Sequence, residues 1–130
     1  MKYQELTGNI IGAAMEVHRQ MKNGYQEYIY QRALAIELKQ RGINFEQEFE
    51  MKIHYKGEMI GLRRVDFLIH KIIPLELKAV TELSNIHLTQ TLNYLETANY
   101  ELGLLINFEA SSLKFHRLQN KKYQPPQNPA

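Results

Sequence analysis

The sequence predicts a single α/β domain in which a mixed central β-sheet is flanked by helices, with the element order ααβββαββ. Apolar residues first recur at three- and four-residue steps, then alternate with a period of two between residues 45 and 78. A further helical segment, a near-continuous apolar run and an alternating segment follow. The chain has 130 residues, 44% of them hydrophobic, which is enough for one core.

The first two elements are expected to be helices. Residues 3–21 carry one apolar stripe, formed by Leu6, Ile10, Ala13, Ala14, Val17 and Met21. Asn23-Gly24 ends this helix because both residues tolerate the left-handed conformation. The second helix runs from residue 25 or 26 to residue 41 and stops at Gly42, with an inward face predicted to contain Ile29, Ala33, Ile36 and Leu38.

Three strands and a third helix follow. The alternation predicts strands over residues 45–55, 59–69 and 72–78, with a turn at Lys56-Gly57. Ser84 or Asn85 is expected to cap a helix that ends at residue 98 or 99. Residues 102–108 predict a strand covered on both faces, and residues 113–118 an edge strand. The domain is therefore placed at residues 1–118, and residues 119–130, which are rich in Pro and Gln, are expected to form a flexible tail.

Composition excludes some classes of function and leaves others open. The absence of cysteine excludes disulfides, thiolate zinc sites and a thiol nucleophile. No apolar run approaches the length of about 18 residues that a membrane span needs, so we expect a soluble cytoplasmic protein without a membrane partner. Sixteen basic against 14 acidic residues permit contact with nucleic acid without arguing for it. Thirteen of the 14 acids are glutamates, and Asp66 is the only aspartate.

Asp66 and two charged residues of the next strand are the candidates for chemistry. Alternation places Glu76 and Lys78 on one face of the third strand, away from its leucines. Two carboxylates offer the hard oxygen ligands that Mg²⁺ or Mn²⁺ prefers, and a nearby ammonium can orient a water molecule. The alternative is that Asp66, Glu76, Lys78 and Arg64 form cross-strand salt bridges on a solvated face. The spacing alone leaves both interpretations open.

The connection between the second and third strands decides whether the two carboxylates can meet. A two-residue turn at His70-Lys71 would place Asp66 opposite Leu75. A shared site therefore requires a three-residue connection over residues 70–72 or a bulge at Pro74, a residue that cannot donate to the ladder.

Two further motifs surround these charged residues. Residues 24–30 read G-x-x-E-x-x-Y, and residues 90–94 on the third helix read Q-x-x-x-Y. With R-x-D at 64–66 and E-x-K at 76–78, the set resembles the GxxExxY family, a small branch of the PD-(D/E)xK nuclease superfamily, over nearly the whole domain. The resemblance includes residues 12–18, 76–80 and 104–108 and implies a restriction-endonuclease-like core.

The resemblance implies a role for each matching position. Asp66 and Glu76 correspond to the metal-binding carboxylates, and Lys78 to the catalytic lysine. Glu27 matches an acidic residue that can approach the metal from a helix, whereas its alternative role is to favour the helix N-terminus. Gln90 and Tyr94 match a pair that lies beside the active site in RecB-like nucleases. Arg64 is expected to contact a phosphate or to hold Asp66.

The leading hypothesis is a nuclease that uses Mg²⁺ or Mn²⁺ to cleave phosphodiester bonds, most plausibly in DNA. Its metal ligands are Asp66 and Glu76, joined by Glu27 and the Leu77 carbonyl, and Lys78 activates water. Phosphate contacts are expected from cations outside the metal site: Arg63, Arg64, Lys52, Lys56, Lys114, Arg117, Lys121 and Lys122.

Other interpretations remain open at this stage. The five histidines show no ligand spacing, and residues such as Tyr28, Tyr30 and Tyr94 are more often packing residues with satisfied hydroxyls than substrate contacts. A catalytically silent binding module with the nuclease fold is the main rival function, and a phosphohydrolase acting on a small nucleotide is a third alternative. The sequence leaves the oligomeric state open, with a homodimer as one alternative.

Overall fold

The computed structural model describes residues 3–126 and contains eight elements in the predicted order ααβββαββ. The helices are α1 (Gln4–Met21), α2 (Glu27–Gln40) and α3 (Asn85–Ala98). The strands are β1 (Phe45–Tyr55), β2 (Glu58–Ile69), β3 (Ile73–Lys78), β4 (Leu102–Asn107) and β5 (Lys114–Gln119). None of the helices in residues 3–126 is long and apolar enough to cross a membrane.

Local chemistry indicates most of the helix boundaries. Helix α1 ends at Met21, and its C-cap residue is Lys22, with a φ of 63°, rather than the predicted Asn23-Gly24. Gly24, in the loop that follows, has a φ of 109°, a value that L side chains rarely adopt. At the start of α3, the Ser84 side chain accepts the backbone N–H of His87, and the His87 side chain accepts the N–H of Ser84. This reciprocal pair confirms Ser84 as the cap.

The predicted inward face of α2 is partly wrong. Leu38 is fully buried, as expected, but Ile36 is 58% exposed. The buried stripe instead contains Tyr30 and Leu34, each four residues from the next member. The apolar pattern failed here because two polar-tipped residues, Tyr30 and Gln31, occupy the inward face.

The five strands form one sheet in the order β1-β2-β3-β4-β5. The β3–β4 pair is parallel and is connected through α3, whereas the other three pairs are antiparallel. A main core lies between the sheet and the first two helices, and its sheet residues include Phe67, Leu75, Leu77, Leu104 and Ile106. The opposite face of β4 packs against α3, since a Cβ on Gly103 would lie 2.9 Å from Leu95. Strand β4 is therefore covered on both faces, as predicted.

The β2–β3 connection has the register that a shared site requires. Ile69 pairs with Ile73, which leaves residues 70–72 as a three-residue connection and confirms that prediction. Two of its residues, His70 and Lys71, adopt positive φ values of 51° and 62°. Continued by one position beyond the last pair, Phe67 with Leu75, this register sets Asp66 opposite Glu76.

Residues after strand β5 form hydrogen bonds with the rest of the domain. The Asn120 amide is buried and donates to the main-chain carbonyls of Leu95 and Tyr100. Asn99 and Gln124 exchange two further hydrogen bonds. The predicted boundary at residue 118 stays a prediction, and the last four residues of the predicted tail, 127–130, lie outside the described residues.

Candidate active site

Asp66 lies where β2 and β3 separate. The last main-chain pair of the two strands is Phe67 with Leu75, next to Asp66. Beyond this pair the Asp66 side chain bonds to β3 instead of the main chain: its Oδ2 accepts the main-chain N–H of Leu77 at 2.7 Å. Its Oδ1 accepts a hydrogen bond of 3.0 Å from Nε2 of Gln31 on α2. Both carboxylate oxygens are thus held by neighbouring elements, which fixes the side chain.

Glu76 forms an ion pair with Arg63. Nη2 of Arg63 lies 3.0 Å from each Glu76 carboxylate oxygen, and Nε donates to Oε1 at 3.3 Å. The Glu76 side chain is only 8% exposed and that of Arg63 22%. The guanidinium also lies 4.7 Å from the ring centroid of Tyr94 on α3. The arginine therefore connects the E-x-K motif to the Q-x-x-x-Y motif.

The electrostatics of Asp66 identify which charged residues lie near it. Burial is the largest cause that raises the pKa of Asp66 to about 6. The Leu77 N–H opposes this shift, the negative charges of Glu27 and Glu76 add to it, and the positive charge of Lys78 opposes it. The charges of Glu27, Glu76 and Lys78, all assigned to the site from the sequence, thus shift the pKa of Asp66.

The G-x-x-E-x-x-Y motif positions the start of α2. The buried Tyr30 hydroxyl donates to the Lys22 carbonyl at 2.6 Å and accepts the Tyr25 N–H at 3.3 Å. Its ring stacks on Phe108 with the centroids 4.5 Å apart. These contacts fix the loop between α1 and α2 and place Glu27, which is exposed, in the first turn of α2. Tyr30 is thus a packing residue with a satisfied hydroxyl.

Lys78 is the last residue of β3, and its carbonyl accepts the N–H of Phe108 at 2.9 Å. Within residues 3–126 its ammonium has no hydrogen-bond or ion-pair partner, so it is free to contact a ligand. Leu77 lies between Glu76 and Lys78 and contributes its N–H to Asp66. That its carbonyl is a metal ligand stays a prediction.

The expectation that Arg64 holds Asp66 is wrong. Gln31 and the Leu77 N–H occupy the two carboxylate oxygens, while Arg64 is exposed. The preceding residue, Arg63, is the one that reaches the site, and its partner is Glu76. The alternative of weak salt bridges on a solvated face does not describe this ion pair, because the Glu76 side chain is almost buried.

Sequence reasoning missed two residues that support the site. Gln31 directly follows the G-x-x-E-x-x-Y motif, and its only sequence signal is a polar residue within a helical core face. Asn107 ends the apolar run of β4 and is 1% exposed. Its amide exchanges two hydrogen bonds with the main chain of Val80, at 3.1 and 2.8 Å. This pair holds the segment that leaves β3 directly after Lys78.

The donor set fits a hard divalent cation. No three histidine, aspartate or glutamate side chains in residues 3–126 are grouped as a preformed metal site. Asp66 and Glu76 are nevertheless hard oxygen donors, and burial, followed by the charges of Glu27 and Glu76, raises the pKa of Asp66, so a cation there would offset a cost that the structure shows. A cation already neutralises Glu76, in the form of the Arg63 guanidinium. An ion bound to both carboxylates would compete with that arginine.

A family model described as the PD-(D/E)XK nuclease superfamily matches residues 4–118. The chain belongs to the PD-(D/E)XK nuclease superfamily. Its mixed five-stranded sheet with flanking helices is a restriction-endonuclease-like fold, as the sequence predicted. Nucleases of this superfamily generally use divalent metal ions.

This PD-(D/E)XK domain also resembles a solved structure, "Crystal structure of SSO0001". The two share 26% sequence identity with a TM-score of 0.55 over 71% of this chain. The match spans 48% of that chain, so the PD-(D/E)XK domain corresponds to about half of the other protein. No curated protein matches the sequence.

Proposed function

We propose that the protein is a divalent-metal-dependent nuclease that hydrolyses phosphodiester bonds in nucleic acid, with DNA as the expected substrate, and that it belongs to the GxxExxY branch of its superfamily. The observation that carries the proposal is the register that sets Asp66 opposite Glu76, with Asp66 held by Gln31 and the Leu77 N–H and with the charges of Glu27, Glu76 and Lys78 acting on it. Such a group of interacting charges is typical of active sites. The motif residues Gly24 and Tyr30, which position Glu27, support the assignment to the branch.

Asp66 and Glu76 would hold Mg²⁺ or Mn²⁺, with the Glu27 carboxylate or the Leu77 carbonyl as a further ligand. Such an ion, when bound, polarises a phosphoryl oxygen and makes a coordinated water more acidic. Gln31 and the Leu77 N–H keep Asp66 in one orientation, so little reorganisation is needed on binding. Lys78 would orient the attacking water and stabilise the charge that develops on the phosphate.

Arg63 would change partner during this cycle. In the structure its guanidinium neutralises Glu76 and is supported by the Tyr94 ring. With Glu76 engaged as a metal ligand, the Arg63 guanidinium would be available within the site and would be suited to a phosphate oxygen of the substrate. Exposed cations such as Arg64, Lys52 and Lys56 would add contacts to the backbone that do not depend on sequence.

A cleavage assay with labelled single-stranded DNA, duplex DNA and RNA tests the proposal. We expect products only with Mg²⁺ or Mn²⁺, and a loss of activity of about 100-fold or more in Lys78→Ala because one group that stabilises developing charge contributes about that much. Lys39→Ala, at the exposed end of α2, is the matched control and should cleave like the wild type.

The ion pair between Arg63 and Glu76 also favours a second candidate, a non-catalytic binding module, because it occupies a carboxylate that the metal needs. Binding of nucleic acid without any metal-dependent product, with Lys78→Ala indistinguishable from the wild type, would select that module instead.

A further inference from the structure

An open groove lies between α3 and β1, next to the candidate active site. It has a volume of about 570 Å³. We call it the amide groove and define it by six of its lining residues: Ile53, Ile86, Thr89, Gln90, Asn93 and Tyr94. Ile53 is buried, whereas Ile86 is 75% exposed, so the groove combines an apolar floor with an accessible rim.

The chemistry of the amide groove is neutral. Its lining contains no acidic or basic side chain, although 23% of the chain is charged. A segment of phosphate backbone would require cations here. Amide and hydroxyl groups with an aromatic ring and aliphatic side chains are instead suited to nucleobases, which stack on rings and form hydrogen bonds through their edges. The lining thus favours the uncharged part of a nucleotide.

Direct contacts connect the amide groove to the candidate metal ligands. Glu76 binds Arg63 at 3.0 Å, and Arg63 lies 4.7 Å from the ring centroid of Tyr94, which lines the groove. One side chain, Arg63, therefore lies between Glu76, a proposed metal ligand, and the neutral groove. This arrangement would suit a nucleotide with its phosphate at a metal ion held by the carboxylates and its base beside Tyr94.

We propose that the amide groove is a binding site for an unpaired nucleobase, which makes single-stranded or frayed nucleic acid the substrate class of this site. The inference rests on the proposed nuclease function and deepens it. An unpaired base is required because, in a duplex, stacking covers both faces of a base and pairing occupies its edge. Tyr94 supplies the ring, and Gln90 and Asn93 supply amides for the base edge.

Equilibrium binding of a fluorescent single-stranded oligonucleotide tests the inference, with Ca²⁺ in place of Mg²⁺ to limit cleavage while leaving a cation for the carboxylates. A second probe has the same number of phosphates but abasic sites instead of bases. We expect the wild type to bind the intact strand about tenfold more tightly than the abasic strand, since one stacked base contributes roughly that much. The double variant Gln90→Ala/Asn93→Ala should lose this difference, whereas Gln40→Ala, an exposed amide on α2, should retain it.

The outcomes separate this inference from the proposed function. Equal affinity for the intact and abasic strands, or a preference for blunt duplex, overturns the base site and leaves the nuclease proposal standing. Failure to bind any nucleic acid, together with no metal-dependent cleavage, removes both. If the double variant keeps the difference between strands but changes from dimer to monomer in sedimentation, the amide groove is an interface between two copies and the inference is wrong.

Discussion

Replacing Arg63 by alanine is the most informative perturbation of the site. It removes the only cation that the structure places within hydrogen-bonding distance of Glu76 in residues 3–126. Removing one partner of a fully buried ion pair costs about 3–5 kcal/mol. Because Arg63 is 22% exposed and water can enter the vacated space, we expect a loss of about 2–3 kcal/mol in the free energy of unfolding.

A divalent cation should reverse that loss. At about 100 times its Kd, a ligand specific to the folded state adds about 2.7 kcal/mol, which is close to the expected loss. The variant should also bind Mn²⁺ or Mg²⁺ about tenfold more tightly than the wild type, because the ion no longer competes with the guanidinium for Glu76. Circular dichroism during urea unfolding measures the stability, and isothermal titration calorimetry measures the metal affinity.

Arg64→Ala is the matched control, since this neighbouring arginine is exposed and donates no hydrogen bond to either carboxylate. Its stability should lie within about 0.5 kcal/mol of the wild type, with an unchanged Kd for the metal. If Arg63→Ala and Arg64→Ala behave alike, in stability without metal and in metal affinity, the competition between guanidinium and metal at Glu76 is refuted.

Three further predictions concern individual contacts. In metal-free protein the pKa of Asp66 is raised from 3.8 to about 6, so the folded state binds the Asp66 proton more tightly than the unfolded state does. This tighter binding stabilises the folded state below pH 3.8, and the stabilisation is lost as the pH rises to about 6. Unfolding in EDTA should therefore show a decrease of about 2–3 kcal/mol over this range that Asp66→Asn abolishes. Tyr30→Phe should cost about 1–2 kcal/mol in urea unfolding because the Lys22 carbonyl loses its buried donor, whereas Tyr28→Phe, at a residue 49% exposed, should cost under about 0.5. Gly103→Ala should destabilise by about 1–3 kcal/mol because its Cβ would lie 2.9 Å from an α3 side chain, and Gly61→Ala, with open space, should not.

Most of the fold was accessible from the sequence because each element buries one face and shows the corresponding period. All eight elements were predicted in the correct order, and glycines and Ser84 marked their ends. The inward face of α2 was not predictable from apolar residues alone. Tyr30 and Gln31 are buried there because their polar ends have partners, the Lys22 carbonyl and Asp66, that only the tertiary structure supplies.

The residues of the site could be predicted where the strands alternate regularly, and not where the alternation breaks. The register of β2 and β3 set Asp66 opposite Glu76, but alternation then favoured Arg64 over Arg63 as the nearby cation. The β1–β2 ladder is interrupted at the position of Asp66, where Glu48 on β1 has a φ of 54°. Regular alternation would place Arg63 on the same face as Phe67. Phe67 packs in the core with α1 and α2, yet Arg63 contacts Tyr94 of α3, so alternation fails between them.

The charges of Asp66 and Glu76 explain the presence of Arg63 in a site proposed to bind metal. Burial and neighbouring acids make two negative charges costly here, and the structure relieves them in different ways. Glu76 is neutralised by Arg63, whereas the raised pKa of Asp66 favours protonation. A divalent cation would offset the charge of both carboxylates, since Asp66 is mostly ionised above about pH 6 and Glu76 would exchange its guanidinium for the ion. The Arg63 guanidinium would then lie beside the site without its carboxylate partner, where it would be suited to a phosphate oxygen of a bound nucleic acid.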